Sequence, residues 1–138
     1  MLTLDANIWI AAYDPRDGFH AESARFLLAV TLRRIGLNGP AILLVETACA
    51  LARRAQSAAV AVMAVERLRM HPRLALHPMN DHLLAIATEV GTRQLLRGTD
   101  ALYAATAVIL NAPLVSWDEE LIRRGGAVTP TDWLAAKS

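Results

Sequence analysis

Cysteine is almost missing: Cys49 is the only one in 138 residues, which excludes a disulfide framework and a thiolate zinc site. Its position after Ala48 in a helical stretch predicts a small buried side chain. Lysine is equally scarce, Lys137 standing alone, so arginine carries the basic charge. Arginine suits bidentate phosphate contacts, although codon composition explains the same skew. Neither sign of charge is in excess, with 14 basic and 13 acidic residues leaving +1. That balance argues against wholesale electrostatic capture of nucleic acid while leaving room for segregated patches. Aromatics make up 5% of the chain, too few for a base-stacking platform. The longest apolar run, Ala58 to Val65, is far short of the ~20 residues a membrane span needs. The N-terminal apolar segment has no basic region ahead of it and contains Asp5, unlike a signal peptide. A soluble, cytoplasmic protein with no membrane association is the expectation. His20, His71, His77 and His82 show no metal-ligand spacing, and two of them precede proline, so they read as surface or turn residues. There is no G-x-S-x-G elbow, P-loop or dinucleotide fingerprint.

What is present is 54% hydrophobic and 20% charged, the composition of a globular chain, and residues 1–138 are long enough for one domain with its own core. The opening run Met1-Leu2-Thr3-Leu4 predicts a central strand buried on both faces, with a short helix beginning near Ala6. Asp14 to Gly18 is a turn by its chemistry, and a helix follows from about His20 to Ile35. Ala41 to Val45 predicts a second buried strand, with a helix over Thr47–Arg54 and another over Ala58–Met70. The latter is apolar nearly all round, which makes a buried position the default and an exposed partner surface the alternative. Leu74–His77 predicts a strand, and a helix capped by Asn80 or Asp81 runs to about Leu96. A helix from Ala101 to Leu110, a strand over Leu114–Ser116, a short helix over Glu119–Arg124, a possible strand at Ala127-Val128 and an outer tail through Trp133 complete the chain. Strands alternating with helical crossovers predict an α/β fold with a parallel sheet covered on both faces.

Asp5, Glu46 and Asp118 each stand just past a predicted strand, and Asp100 opens an apolar helix. Chemistry in open α/β sheets sits beyond the carboxyl ends of the strands. Any one of these acids has a simpler role as a helix cap, but the recurrence places all four at one rim. Four carboxylates within ~5 Å form six pairs, each repelling by about 3 kcal/mol at an effective dielectric of 20. The sum, on the order of 20 kcal/mol, exceeds the ~5–15 kcal/mol stability of a typical domain. Such a cluster must share protons or bind cations, and hard oxygen donors without His or Cys favour Mg²⁺ or Mn²⁺. One or two such ions activate water and orient a phosphodiester, which is nuclease chemistry.

Leu4-Asp5-Ala6-Asn7, Glu46 after Leu43-Leu44-Val45, the stretch Leu96-Arg97-Gly98-Thr99-Asp100-Ala101-Leu102-Tyr103-Ala104-Ala105-Thr106-Ala107, and Leu114-Val115-Ser116-Trp117-Asp118 resemble the successive motifs of a PIN domain. More narrowly, the chain resembles the VapC toxins of bacterial type II toxin–antitoxin pairs. The resemblance implies a PIN-like three-layer α/β/α sandwich with a short central parallel sheet of four to five strands. It also implies a Mg²⁺-dependent endoribonuclease, Mn²⁺ able to substitute, that cuts structured RNA with activated water to leave 5′-phosphate and 3′-hydroxyl ends. The family's metal-binding acids carry over onto Asp5, Glu46, Asp100 and Asp118. Asn7 and Ser116 fall where hydrogen bonds would steady a carboxylate or a metal water. Glu119 and Glu120 add charge beside Asp118; either is able to replace it, though helix acids facing water are the simpler reading.

RNA approaching an acidic mouth needs basic residues nearby, and Arg93, Arg97, Arg123 and Arg124 flank the acids in sequence. By resemblance, the partners are RNA, a small VapB-type antitoxin whose C-terminal segment masks the site, and a second copy of the chain in a homodimer. Two alternatives stand beside this reading. One is a PIN-type nuclease of RNA maturation, or one acting on DNA, without antitoxin; the other is a non-catalytic module whose acidic pocket binds a basic peptide.

Overall fold

The first strand, β1 (Leu2–Leu4), is buried along its whole length and lies between two parallel neighbours. A computed structural model describes all of residues 1–138. The strands β2 (Leu37–Pro40), β3 (Leu74–His77) and β4 (Leu114–Val115) join β1 in a four-stranded sheet of order β3-β2-β1-β4. Every pairing is parallel, so all strands point their carboxyl ends to one rim. Helices α1 (Ala6–Tyr13) and α2 (His20–Leu32) connect β1 to β2, and α3 (Ile42–Ala55) and α4 (Ala58–Met70) connect β2 to β3. Helices α5 (Asp81–Gln94) and α6 (Gly98–Leu110) lead into β4. The chain ends in α7 (Glu119–Gly125) and α8 (Pro130–Ala136). This is the expected α/β sandwich of helices around a short parallel sheet. Val128 adds one parallel bridge to Val115, which is all that forms of the strand expected at Ala127-Val128.

One strand is elsewhere than expected. Ala41 to Val45 is not a strand: Leu37-Asn38-Gly39-Pro40 is, and the apolar run belongs to α3. A short apolar run fits a buried strand and a buried helix equally. Here Leu43, Thr47 and Leu51 are buried at helical spacing while Val45 is exposed. The polar and breaker residues of β2 are each accommodated. Asn38 is buried, its side-chain amide donating to the Leu2 carbonyl (3.2 Å) and its Oδ1 bonded to His77 Nε2 (2.9 Å). Pro40 lies where β2 has already left the β1 ladder, which pairs only Leu37 and Asn38.

The main core packs Trp9, Ile8, Phe26, Val30, Leu37, Leu43, Tyr103 and Val115 around the sheet. A second cluster of Leu83, Ala87, Ala101, Leu102 and Ala105 joins α5 to α6. Gly91 makes that contact possible, since a β-carbon there would sit 2.7 Å from Ala101 Cβ. Gly91→Ala is therefore expected to destabilise the protein by about 1 kcal/mol, overpacking at ~1–3 kcal/mol outweighing a helix-propensity gain of ~1 kcal/mol. Urea melts check this, and a variant as stable as the parent would refute so close an approach.

Three further expectations are revised. The tail forms α8, capped by the Thr129 hydroxyl on the Asp132 amide (3.0 Å), with Trp133 set edge-on against Phe26. Cys49 is exposed, not buried. Only Ala64 and Leu68 of α4 are buried, whereas Val60, Val62, Met63 and Met70 face solvent. No helix is long and apolar enough to cross a membrane.

Candidate metal centre

Asp5 leaves β1 with its backbone still in the sheet, its amide donating to the Val115 carbonyl (3.0 Å). It occupies the N-cap position of α1 but makes no side-chain cap bond. Its Oδ2 instead accepts from the Ser116 hydroxyl at 2.7 Å. Ser116 is fully buried, and its oxygen accepts from Asn7 Nδ2 (3.1 Å) and the Asp118 amide (2.9 Å). With both acceptor positions filled, the single hydroxyl proton is aimed at Asp5. Asn7 is fixed in turn by the Trp117 amide, which donates to its Oδ1 (3.3 Å). Asp5 is 7% exposed. Burial pushes its carboxyl from 3.8 up to about 7, with the charges of Asp100 and Glu46 adding to the rise and the Ser116 hydrogen bond opposing it.

Asp118 follows β4 and does cap its helix: Oδ1 accepts from the amides of Glu120 (2.8 Å) and Leu121 (3.2 Å). Its other oxygen, Oδ2, takes Arg97 Nη2 at 2.9 Å. Asp100 sits in the first turn of α6, where Arg97 Nε reaches its Oδ2 at 3.2 Å. Arg97 Nε is also 3.6 Å from Glu120 Oε2, and Arg124 pairs with Glu120 Oε1 at 3.3 Å. The carboxylate oxygens of Asp100, Asp118 and Glu120 lie within 4.8 Å of one another. Burial raises the Asp100 carboxyl, opposed by Arg97.

Glu46 does not follow a strand as expected; it lies one turn into α3. Its Oε1 accepts from the Tyr103 phenol at 2.5 Å. Tyr103 is buried on α6, three residues from Asp100. Burial and the neighbouring Glu46 carboxylate push the phenol far above its ordinary range, so it is a permanent donor. Burial also raises Glu46, the Tyr103 bond working against that rise and Asp100 with it. The rim thus holds two groups that share Asp100. Asp5, Glu46 and Asp100 feel one another's charge, and Asp100, Asp118 and Glu120 are in mutual reach.

Tyr103 was not anticipated, and Glu120 stood only as an alternative to Asp118. Glu120 joins the acids while Glu119 faces solvent; its two-residue spacing from a capping Asp and the Arg124 four residues later were the available signal. Tyr103 left no signal, because an aromatic at helical spacing is ordinarily core. Of the four arginines, Arg97 touches the acids directly and Arg124 through Glu120. Arg93 pairs with Glu89 along α5, and Arg123 is exposed.

The donor set consists of carboxylate oxygens, without imidazole or thiolate, and suits a hard divalent cation such as Mg²⁺ or Mn²⁺. A guanidinium already seated among three of the carboxylates is direct testimony that the position attracts positive charge. The fold is shared with known proteins. VapC20 of Mycobacterium tuberculosis, a toxin that cleaves the sarcin–ricin loop, is 20% identical with a TM-score of 0.77, over 93% of this chain and 97% of that one. VapBC2 of Rickettsia felis, solved on a fragment of its promoter DNA, is 16% identical with a TM-score of 0.69, over 93% and 96%. FitAcB of Neisseria gonorrhoeae is 19% identical with a TM-score of 0.69, over 95% and 99%. No curated protein matches the sequence. The PIN domain model matches residues 2–127, a span that takes in every acid at the rim, and the chain belongs to the PIN-domain family.

Proposed function

We propose that this chain is a divalent-metal-dependent endoribonuclease and the toxin of a toxin–antitoxin pair. The observation that carries the proposal is the rim beyond the parallel strands, where Asp100, Asp118 and Glu120 lie in mutual reach and Asp5 and Glu46 feel the charge of Asp100. Asp5, Asp100 and Asp118 would hold the ion, with Glu46 and Glu120 beside them. A bound Mg²⁺ or Mn²⁺ supplies the positive charge that polarises the scissile phosphate and lowers the pKa of water. The protein's own part is orientation. The Ser116 hydroxyl fixes Asp5, the Tyr103 phenol fixes Glu46, and the amides at the start of α7 fix Asp118. Each carboxylate is held by a donor whose own position is set by the sheet or by a helix, the condition for preorganised catalysis. Arg97 and Arg124 would screen the acids from the approaching phosphodiester.

The toxin pairing is favoured by a groove elsewhere on the molecule. A cavity of about 550 Å³ between α1, α2 and α4 is lined by Trp9, Tyr13, Leu28, Met63 and Met70 among others. Leu28, Met63 and Met70 are exposed there, and such a surface is suited to an apolar segment of a second protein. A toxin–antitoxin complex from Klebsiella pneumoniae shares the fold at 17% identity and a TM-score of 0.65. An antitoxin is the partner proposed for this groove.

The test is cleavage of labelled structured RNA by antitoxin-free protein. Cutting is expected with Mg²⁺ or Mn²⁺, is expected to stop with EDTA, and is expected to be lost in Asp100→Asn. RNA left intact at high enzyme and metal concentrations would overturn the proposal, and cleavage unaffected by EDTA would overturn its metal component.

A further inference from the structure

The three carboxylates with oxygens within 4.8 Å of one another, Asp100, Asp118 and Glu120, are the same three that Arg97 contacts. Arg124 reaches only Glu120 among them. We propose that Arg97 is the resident counter-cation of the acidic site, and that a divalent ion must displace its guanidinium to bind. The inference rests on the metal-dependent reading above.

The oxygens decide the matter. Asp118 Oδ1 is committed to two amides of α7, so Oδ2 is the oxygen Asp118 has free to offer, and Arg97 Nη2 holds it at 2.9 Å. Asp100 Oδ2 is held by Arg97 Nε at 3.2 Å, and Glu120 Oε2 is 3.6 Å from the same nitrogen. An ion and the guanidinium therefore compete for the same carboxylates and the space between them. Arginine does not shed its charge at accessible pH, so it cannot stay in place as a neutral donor beside a dication. It has to move, and it is free to do so. Arg97 precedes the first helical residue of α6, which fixes its backbone, while its side chain is 66% exposed. In the metal-free protein the guanidinium offsets the mutual repulsion of the carboxylates. Once displaced, it stays tethered at the rim with its planar fork open to a phosphate oxygen pair.

Titration of Mn²⁺ alone into the full-length, metal-free protein tests this, with free Mn²⁺ read by electron paramagnetic resonance at low ionic strength. Arg97→Gln is expected to bind Mn²⁺ more tightly by about three- to tenfold, the scale of an exposed ion-pair network released. Arg97→Lys, which keeps the charge but loses the fork, should fall between Gln and the parent. Without metal, the melting temperature of Arg97→Gln should drop by about 1–4 °C, and saturating Mn²⁺ should close that gap. If the parent binds Mn²⁺ and Arg97→Gln binds it equally or more weakly, Arg97 is no competitor and the metal reading survives. If neither protein binds Mn²⁺, both fall together.

Discussion

Asp5→Asn is expected to abolish RNA cleavage and, in the absence of metal, to make the protein more stable at pH 8. The two effects have one source. Asp5 is 7% exposed, and burial raises its carboxyl from 3.8 to about 7. Below pH 3.8 the group is protonated in both the folded and the unfolded chain, and it contributes no difference. Between 3.8 and about 7 the unfolded chain gives up its proton while the folded one keeps it, so stability falls as pH rises. Above about 7 the whole penalty is present, on the order of 4 kcal/mol. Asparagine removes the charge and keeps an oxygen to accept the Ser116 hydrogen bond. Urea unfolding in EDTA should show the variant gaining on the parent through this window and matching it at pH 3.5. Activity should fall by more than the 10–100-fold that loss of a supporting hydrogen bond costs a metal site. Equal stabilities at pH 8 would show that the Asp5 charge is not suppressed by its surroundings.

Ser116→Ala attacks the same carboxylate from the other side. It removes the donor to Asp5 and strips an acceptor from Asn7 Nδ2 and from the Asp118 amide. Ser116 is fully buried, so water does not readily replace the lost partner, and each orphaned group costs ~1–3 kcal/mol. Partial relaxation brings the expected total to about 2–4 kcal/mol, measured by urea melts at pH 7. Turnover should fall by about 10–100-fold at a temperature where the variant is still folded. A double-mutant cycle separates the two roles: in the Asp5→Asn background, Ser116→Ala should cost a different amount, because the hydroxyl then faces a neutral oxygen. Strict additivity would mean that the hydroxyl serves the fold and not the acid.

Much of this architecture is written locally. Leu2-Thr3-Leu4 forms the buried strand its apolar pattern predicts, and the spans of α4 and β3 match the apolar pattern between Ser57 and Pro78. The acids at 5, 100 and 118 are legible because each sits at a sharp boundary between an apolar run and a turn. Glu46 was expected in the right company but on the wrong element, since nothing within Leu37-Asn38-Gly39-Pro40 announces a strand. Its polar Asn38 is satisfied only by Leu2 and His77, partners that do not exist until the sheet has formed. Tyr103 was hidden, and Glu120 stood only as an alternative to Asp118, for a similar reason. One looks like core and the other like a solvated helix acid, and only the meeting of α3, α6 and α7 gives them company. The exposure of α4 shows the limit of composition, because an apolar helix says that it wants a cover without saying whether its own chain supplies one.

Asp118 has a divided allegiance, with one oxygen closing the first turn of α7 and the other facing the acids. Mutational scanning will overstate its chemical importance, because an alanine there unravels a helix end worth ~1 kcal/mol as well as removing a carboxylate from the rim. Asp5 closes no helix, and its phenotype is the cleaner genetic reporter of what the pocket does.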